Sequence, residues 1–188
     1  MSTLKVGTIQ DHANSNTAIS IDSGGRVTLN QQPMFQLGGV TGTISANDII
    51  PMKQLPAGGT VGDADSFLLG GCTFNDSSSE LTLANAGRYM MSCTTVIRTT
   101  NGSHQMGPIK LQRKPSGGAY SSIQHSQMYQ EDSGGSNKFH TYSATWVQNV
   151  AANDVFRWVN LGTQNIQFPT AADSGFVFNG FLLTTNVS

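Results

Sequence analysis

Apolar and polar residues alternate with a period of two along most of this chain, the spacing of a half-buried β-strand. In Tyr89-Met90-Met91-Ser92-Cys93, Tyr89, Met91 and Cys93 share one face and Met90 and Ser92 the other. Near the end, Phe176, Phe178 and Gly180 share a face, and Val177, Asn179 and Phe181 share the opposite one. That last segment has apolar residues on both faces, so it is expected to be covered on both, by the opposite sheet and by a neighbouring subunit. Clusters of Gly, Ser, Asn and Asp separate the alternating runs, and almost nothing reads as helix. The pattern predicts strands at 34–37, 48–55, 67–74, 80–83, 87–98, 106–113, 119–128, 139–150, 154–160, 165–168 and 176–184. So many short alternating strands imply two packed antiparallel sheets.

The chain divides into a foot, residues 1–33, and a head, residues 34–188, with the junction at Gln31-Gln32-Pro33. Strands are expected at 5–9, 18–21 and 26–29, the last two joined by Asp22-Ser23-Gly24-Gly25. Gly-Gly supplies the positive φ values of a tight hairpin turn. A three-strand piece this small cannot bury enough apolar surface alone. It reads as an attachment segment that packs on the head, on copies of itself or on a larger structure. The polar stretch Gln130–Asn137 is expected to be a loop, either a plain connector or a carrier of recognition.

Composition narrows the function. Only 11% of residues are charged, against roughly 25% in average soluble domains. Such a surface suits association, because interface cores are depleted of charge. The net charge is -1, and the densest basic patch is Lys110, Arg113 and Lys114, which reads as a few solvated charges at a strand end. No nucleic-acid partner is expected, since phosphate binding needs more clustered cations. No run approaches the ~18 apolar residues of a membrane span, and no leader pattern opens the sequence. Synthesis in a cytoplasm, without membrane insertion, is therefore expected. Cys72 and Cys93 have neither metal-site nor redox spacing and read as small buried hydrophobes.

Four elements, in order, carry a resemblance. Ser79-Glu80-Leu81-Thr82-Leu83-Ala84-Asn85-Ala86-Gly87-Arg88-Tyr89-Met90-Met91-Ser92 is a strand, a small-residue turn and a Gly leading into an aromatic-bearing strand. Val150-Ala151-Ala152-Asn153-Asp154-Val155-Phe156-Arg157-Trp158 is a turn and strand with Asn153 where Gly is usual. Gly175-Phe176-Val177-Phe178-Asn179-Gly180-Phe181-Leu182-Leu183 is a closing strand, and Met34-Phe35 with Ile49-Ile50 matches the opening strands more loosely. Together they resemble the globular head of the first complement component and its tumour-necrosis-factor relatives. The resemblance implies an all-β, ten-stranded antiparallel jelly-roll sandwich assembling as a homotrimer. In the foot, Leu4-Lys5-Val6-Gly7-Thr8-Ile9-Gln10 and Thr17-Ala18-Ile19-Ser20-Ile21-Asp22-Ser23-Gly24-Gly25-Arg26-Val27 resemble the start of marine bacteriophage tail-fibre and virion proteins.

Candidate chemistry is sparse. His12, His104, His125 and His140 are scattered without metal-ligand spacing. His140 with Tyr142, or Ser121 and Ser122 with His125, lack a nucleophile elbow and an orienting carboxylate. The chain has two glutamates, Glu80 and Glu131. Asp63 and Asp65 could offer oxygen ligands to calcium but read better as a solvated acidic loop. Trp146, Phe156 and Trp158 read as core rather than as a ligand platform. No catalytic, cofactor-binding or metal residue is assigned, and no enzyme is expected. The expected role is a trimeric virion appendage, a tail fibre or tip anchored through the foot, with the head exposed to a host glycan or protein. A capsid decoration is the alternative, and a soluble glycan-binding module is the alternative of another class.

Overall fold

In a computed structural model, residues 8–10, 17–21, 23–25, 27–28, 32–40, 42–54, 66–99, 104–132, 139–163, 165–168 and 176–185 are described. The foot forms its own antiparallel sheet of β1 (Thr8–Gln10), β2 (Thr17–Ile21) and β3 (Val27–Thr28), in that order. Gly25, at φ 77°, lies in the β2–β3 turn. The junction fastens to the head's last strand, β16 (Val177–Thr184). Gln32 Nε2 donates to the Leu182 carbonyl at 2.9 Å, and Leu182 N donates to the Pro33 carbonyl at 2.9 Å.

The head is a sandwich of a seven-stranded and a six-stranded sheet. In the first, β13 (Phe139–Val150), β9 (Gly87–Thr99), β16, β4 (Met34–Gly38) and β6 (Phe67–Leu69) lie side by side. Beyond β16, β15 (Ile166–Phe168) runs along the end of β9, with β5 (Gly42–Ile44) outside it. In the second, the order is β11 (Ser121–Ser122), β10 (His104–Lys114), β14 (Asp154–Asn160), β8 (Glu80–Leu83) and β7 (Cys72–Asn75), with β12 (Met128–Asp132) also on β10. Every described strand pair is antiparallel.

The core is the set of inward positions the alternation selects. Tyr89, Met91 and Cys93 on β9, Phe178 on β16, and Phe156 and Trp158 on β14 are fully buried, and Trp146 on β13 nearly so. Trp158 sits edge-on to Trp146, Phe176 and Phe178, with ring centroids 6.2, 6.0 and 5.5 Å away. Those are favourable edge-to-face aromatic geometries. Gly180 is required here by close approach: a Cβ would stand 2.8 Å from the Phe35 ring and from the Met90 carbonyl oxygen. Cys72 and Cys93 are buried free thiols.

Three expected strands depart from the sequence reading, each for a local reason. The single strand expected at 67–74 is two, because Gly70 and Gly71 adopt φ 60° and 85° and turn the chain from one sheet into the other. The strand expected at 48–55 is an extended strap, interrupted by Pro51, which has no N–H to donate. Ile50 N bonds the Trp158 carbonyl on the second sheet, and Lys53 exchanges bonds with Gly38 on the first. The strand expected at 119–128 breaks into β11, a 3-10 turn (Gln124–Ser126) and the start of β12. The buried Ser126 hydroxyl accepts from Leu111 N at 2.9 Å and donates to the Ile123 carbonyl at 2.7 Å, replacing ladder bonds. Residues 130–132 of the expected loop pair with β10 through Met106↔Gln130, Gln105↔Glu131 and His104↔Asp132; its remaining residues lie outside the described ones. These subdivisions, with the unforeseen β5, raise the strand count above ten.

Candidate functional site

The outward positions of the two sheets differ in chemistry. On the first sheet the register aligns one apolar row across five strands: Val147↔Met90, Met90↔Phe181, Phe181↔Met34 and Met34↔Leu69. Directly opposed side chains of this kind lie about 4.5–5.5 Å apart at Cβ. Val147 is 56% exposed, Leu69 47%, Phe181 37% and Met90 36%, with Leu183 at 48% beside them. The next row is Thr145, Ser92, Asn179, Gln36 and Phe67. Its hydroxyls pair internally, Thr145 Oγ1 donating to Ser92 Oγ at 3.2 Å. Among the described side chains on these outward positions, Arg88 alone carries charge.

The second sheet's outward positions carry Lys110, Gln112 and Lys114 on β10, Arg157 on β14, and Glu80 and Thr82 on β8. Tyr120, entering β11, organises them. Its hydroxyl donates to a Glu80 carboxylate oxygen, and the Arg157 guanidinium stacks 3.6 Å from its ring centroid. Lys114 Nζ lies 4.8 Å from that centroid and 3.6 Å from Glu80 Oε1, and Arg157 Nε donates to Gln112 Oε1 at 3.0 Å. The Tyr120 hydrogen bond, above all, holds the Glu80 carboxyl below its usual range, while burial and then the Glu80 carboxylate push the Tyr120 phenol up.

At one end of the sandwich, Ala86, Arg113, Asn149, Val150, Ala151 and Ala152 line an open cleft of about 310 Å³. Arg113 is committed there: Nη2 lies 2.6 Å from Asp154 Oδ2, which also accepts from Ala151 N at 2.7 Å. The cleft lining offers neither imidazole nor nucleophile.

The residues weighed from sequence scatter. His12, Asp63 and Asp65 lie outside the described residues. His104 is on β10 and His125 in the 3-10 turn, while His140 and Tyr142 occupy inward positions of β13. Ser121 and Ser122 form β11, where Ser121 Oγ donates to the Arg113 carbonyl at 3.5 Å. Among the described residues, no group of three or more His, Cys, Asp or Glu side chains could hold a metal ion. Lys110 and Lys114 do share a face, whereas Arg113 points inward to Asp154. The expectation that the last strand is covered on both faces anticipates Phe181, but the row as a whole was not read from sequence. Its members are as far apart as Met34 and Phe181, and the exposed alternating positions of β9, β13 and β16 were its only signal.

The two antiparallel sheets, their strand order and their aromatic core define a jelly roll of the tumour-necrosis-factor type. An Eiger TNF from S. frugiperda superposes on it with a TM-score of 0.63 at 10% identity, over 84% of this chain and 96% of that one. At that identity the likeness establishes the fold alone. No protein-family model matches the chain, and no curated protein matches it.

Proposed function

We propose that the chain is a non-catalytic structural protein of a bacteriophage virion, a homotrimeric surface appendage whose foot contacts other virion proteins and whose head faces the host. The observation that carries the assembly is the apolar row Val147, Met90, Phe181, Met34 and Leu69, exposed except at the half-buried Met34, on a face almost without charge. Fully burying a side chain of this size stabilises by roughly 1.5–3 kcal/mol, so a row of five favours self-association. The virion setting is supported by the resemblance of the foot to phage fibre proteins and by the small size of its three-stranded sheet. Assembly in the host cytoplasm goes with that setting.

Within it, a tail fibre or tip is favoured over a capsid decoration by the same resemblance; copy number per particle separates the two. The assembly is tested by the solution mass of the full chain and of Met90→Lys and Val147→Glu. The trimer mass is expected for the parent and a lower mass for both variants at unchanged circular dichroism. A monomeric parent at micromolar concentration sinks the assembly reading. The foot is tested by deleting residues 1–30, which is expected to abolish incorporation into particles while leaving the head's mass ratio intact.

A further inference from the structure

We infer that the outward face of the second sheet binds an acidic polysaccharide, through a basic strip formed by Lys110, Lys114 and Arg157. The charge of the head is partitioned. The first sheet's described outward side chains include one cation, whereas those of the second sheet include three cations and one carboxylate, Glu80. In a chain of net charge -1, that is a local excess of positive charge on a face turned away from the apolar row.

Lys110 and Lys114 are four residues apart on β10, so their Cα atoms are spaced by about 13 Å. Arg157 lies beside Gln112, between them. Glu131 and Asp132 pair only with the far end of β10, at Gln105 and His104, some 16 Å from Lys110 along the strand. By backbone register, the strip therefore stands apart from that acidic pair. It is also preorganised: the Arg157 guanidinium is fixed by the Tyr120 ring and by Gln112 Oε1, which lowers the entropy lost on binding.

The spacing selects the ligand class. A nucleic-acid duplex presents a charge every ~1.7 Å, and its specific binders engage 6–10 phosphates. Three cations over this span suit a polymer of lower charge density. Gln112 stands between the two lysines on β10, and the hydroxyls of Ser122 on β11 and Thr82 on β8 flank the strip on its two sides, groups that complement sugar hydroxyls. A polyuronate, with one carboxylate per sugar and hydroxyls between, matches both features. This inference is independent of the self-association reading.

The test measures binding of the full chain to immobilised alginate, with dextran and a 20-base-pair DNA duplex as comparison surfaces. Alginate is expected to be bound preferentially, with affinity falling as sodium chloride rises from 50 to 300 mM. Lys110→Glu combined with Lys114→Gln should weaken binding at least fivefold. Glu80→Gln, which removes the opposing carboxylate, should strengthen it, a gain that misfolding cannot imitate. Arg88→Glu, on the other sheet, should change nothing. Equal retention on dextran, tighter binding to the DNA duplex, or alginate affinity untouched by the double variant overturns the inference. The solution mass, taken in the same buffers, reports separately on self-association.

Discussion

Arg113 and Asp154 form an ion pair that closes one end of the sandwich, with Nη2 2.6 Å from Oδ2 and the Asp154 carboxylate wholly out of solvent. The same carboxylate accepts from Ala151 N, so it sets the β13–β14 turn as well as the pair. Asn153 in that turn adopts φ 63°, which explains why Asn can stand where glycine is usual in this element: its short polar side chain tolerates the left-handed region.

Asp154→Ala removes one member of a buried pair and leaves the Ala151 N–H without its acceptor. Breaking such pairs costs about 3–5 kcal/mol. Arg113 keeps partial access to water at 26% exposure, so a loss at the lower end is expected, near 3 kcal/mol. Asp154→Asn retains an oxygen for Ala151 N and should lose less. Urea unfolding with an unchanged slope measures both; equal losses for the two variants would contradict this account of the turn.

Gly180→Ala should also destabilise, by overpacking. The new Cβ meets the Phe35 ring and the Met90 carbonyl at 2.8 Å, and both sit in a sheet that cannot shift without disturbing the Phe35–Phe178 contact at 4.9 Å. A loss of about 1–3 kcal/mol is expected. Combining it with Phe35→Leu, which removes the ring, should recover part of the loss relative to the sum of the two singles. Strict additivity in a double-mutant cycle would show that the ring is not what the methyl meets.

Much of this fold is legible in the sequence where alternation is long and firmly bounded. Residues 80–83, 139–150 and 154–160 form strands with the expected bounds, because an inward apolar set and flanking turn residues fix both the register and the ends. Gly42-Thr43-Ile44 escapes notice because one apolar residue makes no pattern; it is a strand only through its pairing with Ile166–Phe168. Ile49-Ile50-Pro51-Met52 looks like a strand for the opposite reason. Ile50 and Met52 are indeed buried, but the strap bonds first one sheet and then the other. The outward rows depend on which strands become neighbours, which local pattern does not encode.

Glu80 links acidity to stability. Its hydrogen bond from Tyr120 depresses the folded-state pKa, so the folded protein holds this proton less tightly than the unfolded chain does. The resulting stabilisation is fully present above the ordinary glutamate value, near 4.3, and disappears as pH falls through the depressed folded value. Between about pH 5 and 3, Glu80→Gln and Tyr120→Phe should each flatten the fall of the urea midpoint with acidity. Parallel curves for parent and variants would show that the Tyr120–Glu80 bond contributes nothing in solution.

The two thiols should be silent until the head opens. Burial pushes the Cys72 thiol up to about 11 and raises that of the fully buried Cys93 further, so little of either is thiolate at pH 8, and the thiolate is the reactive form. Neither side chain offers a reagent access, since Cys72 is 6% and Cys93 0% exposed. Iodoacetamide at pH 8 should therefore leave both unmodified in the native protein and label both in urea. Cys72, on the edge strand β7, should be labelled first as denaturant rises, because edges open locally at lower free energy than strands paired on both sides. Cys93 has β13 and β16 on its two sides, so its labelling should follow global unfolding. Labelling of Cys93 ahead of Cys72 would contradict the burial of the aromatic core around β9.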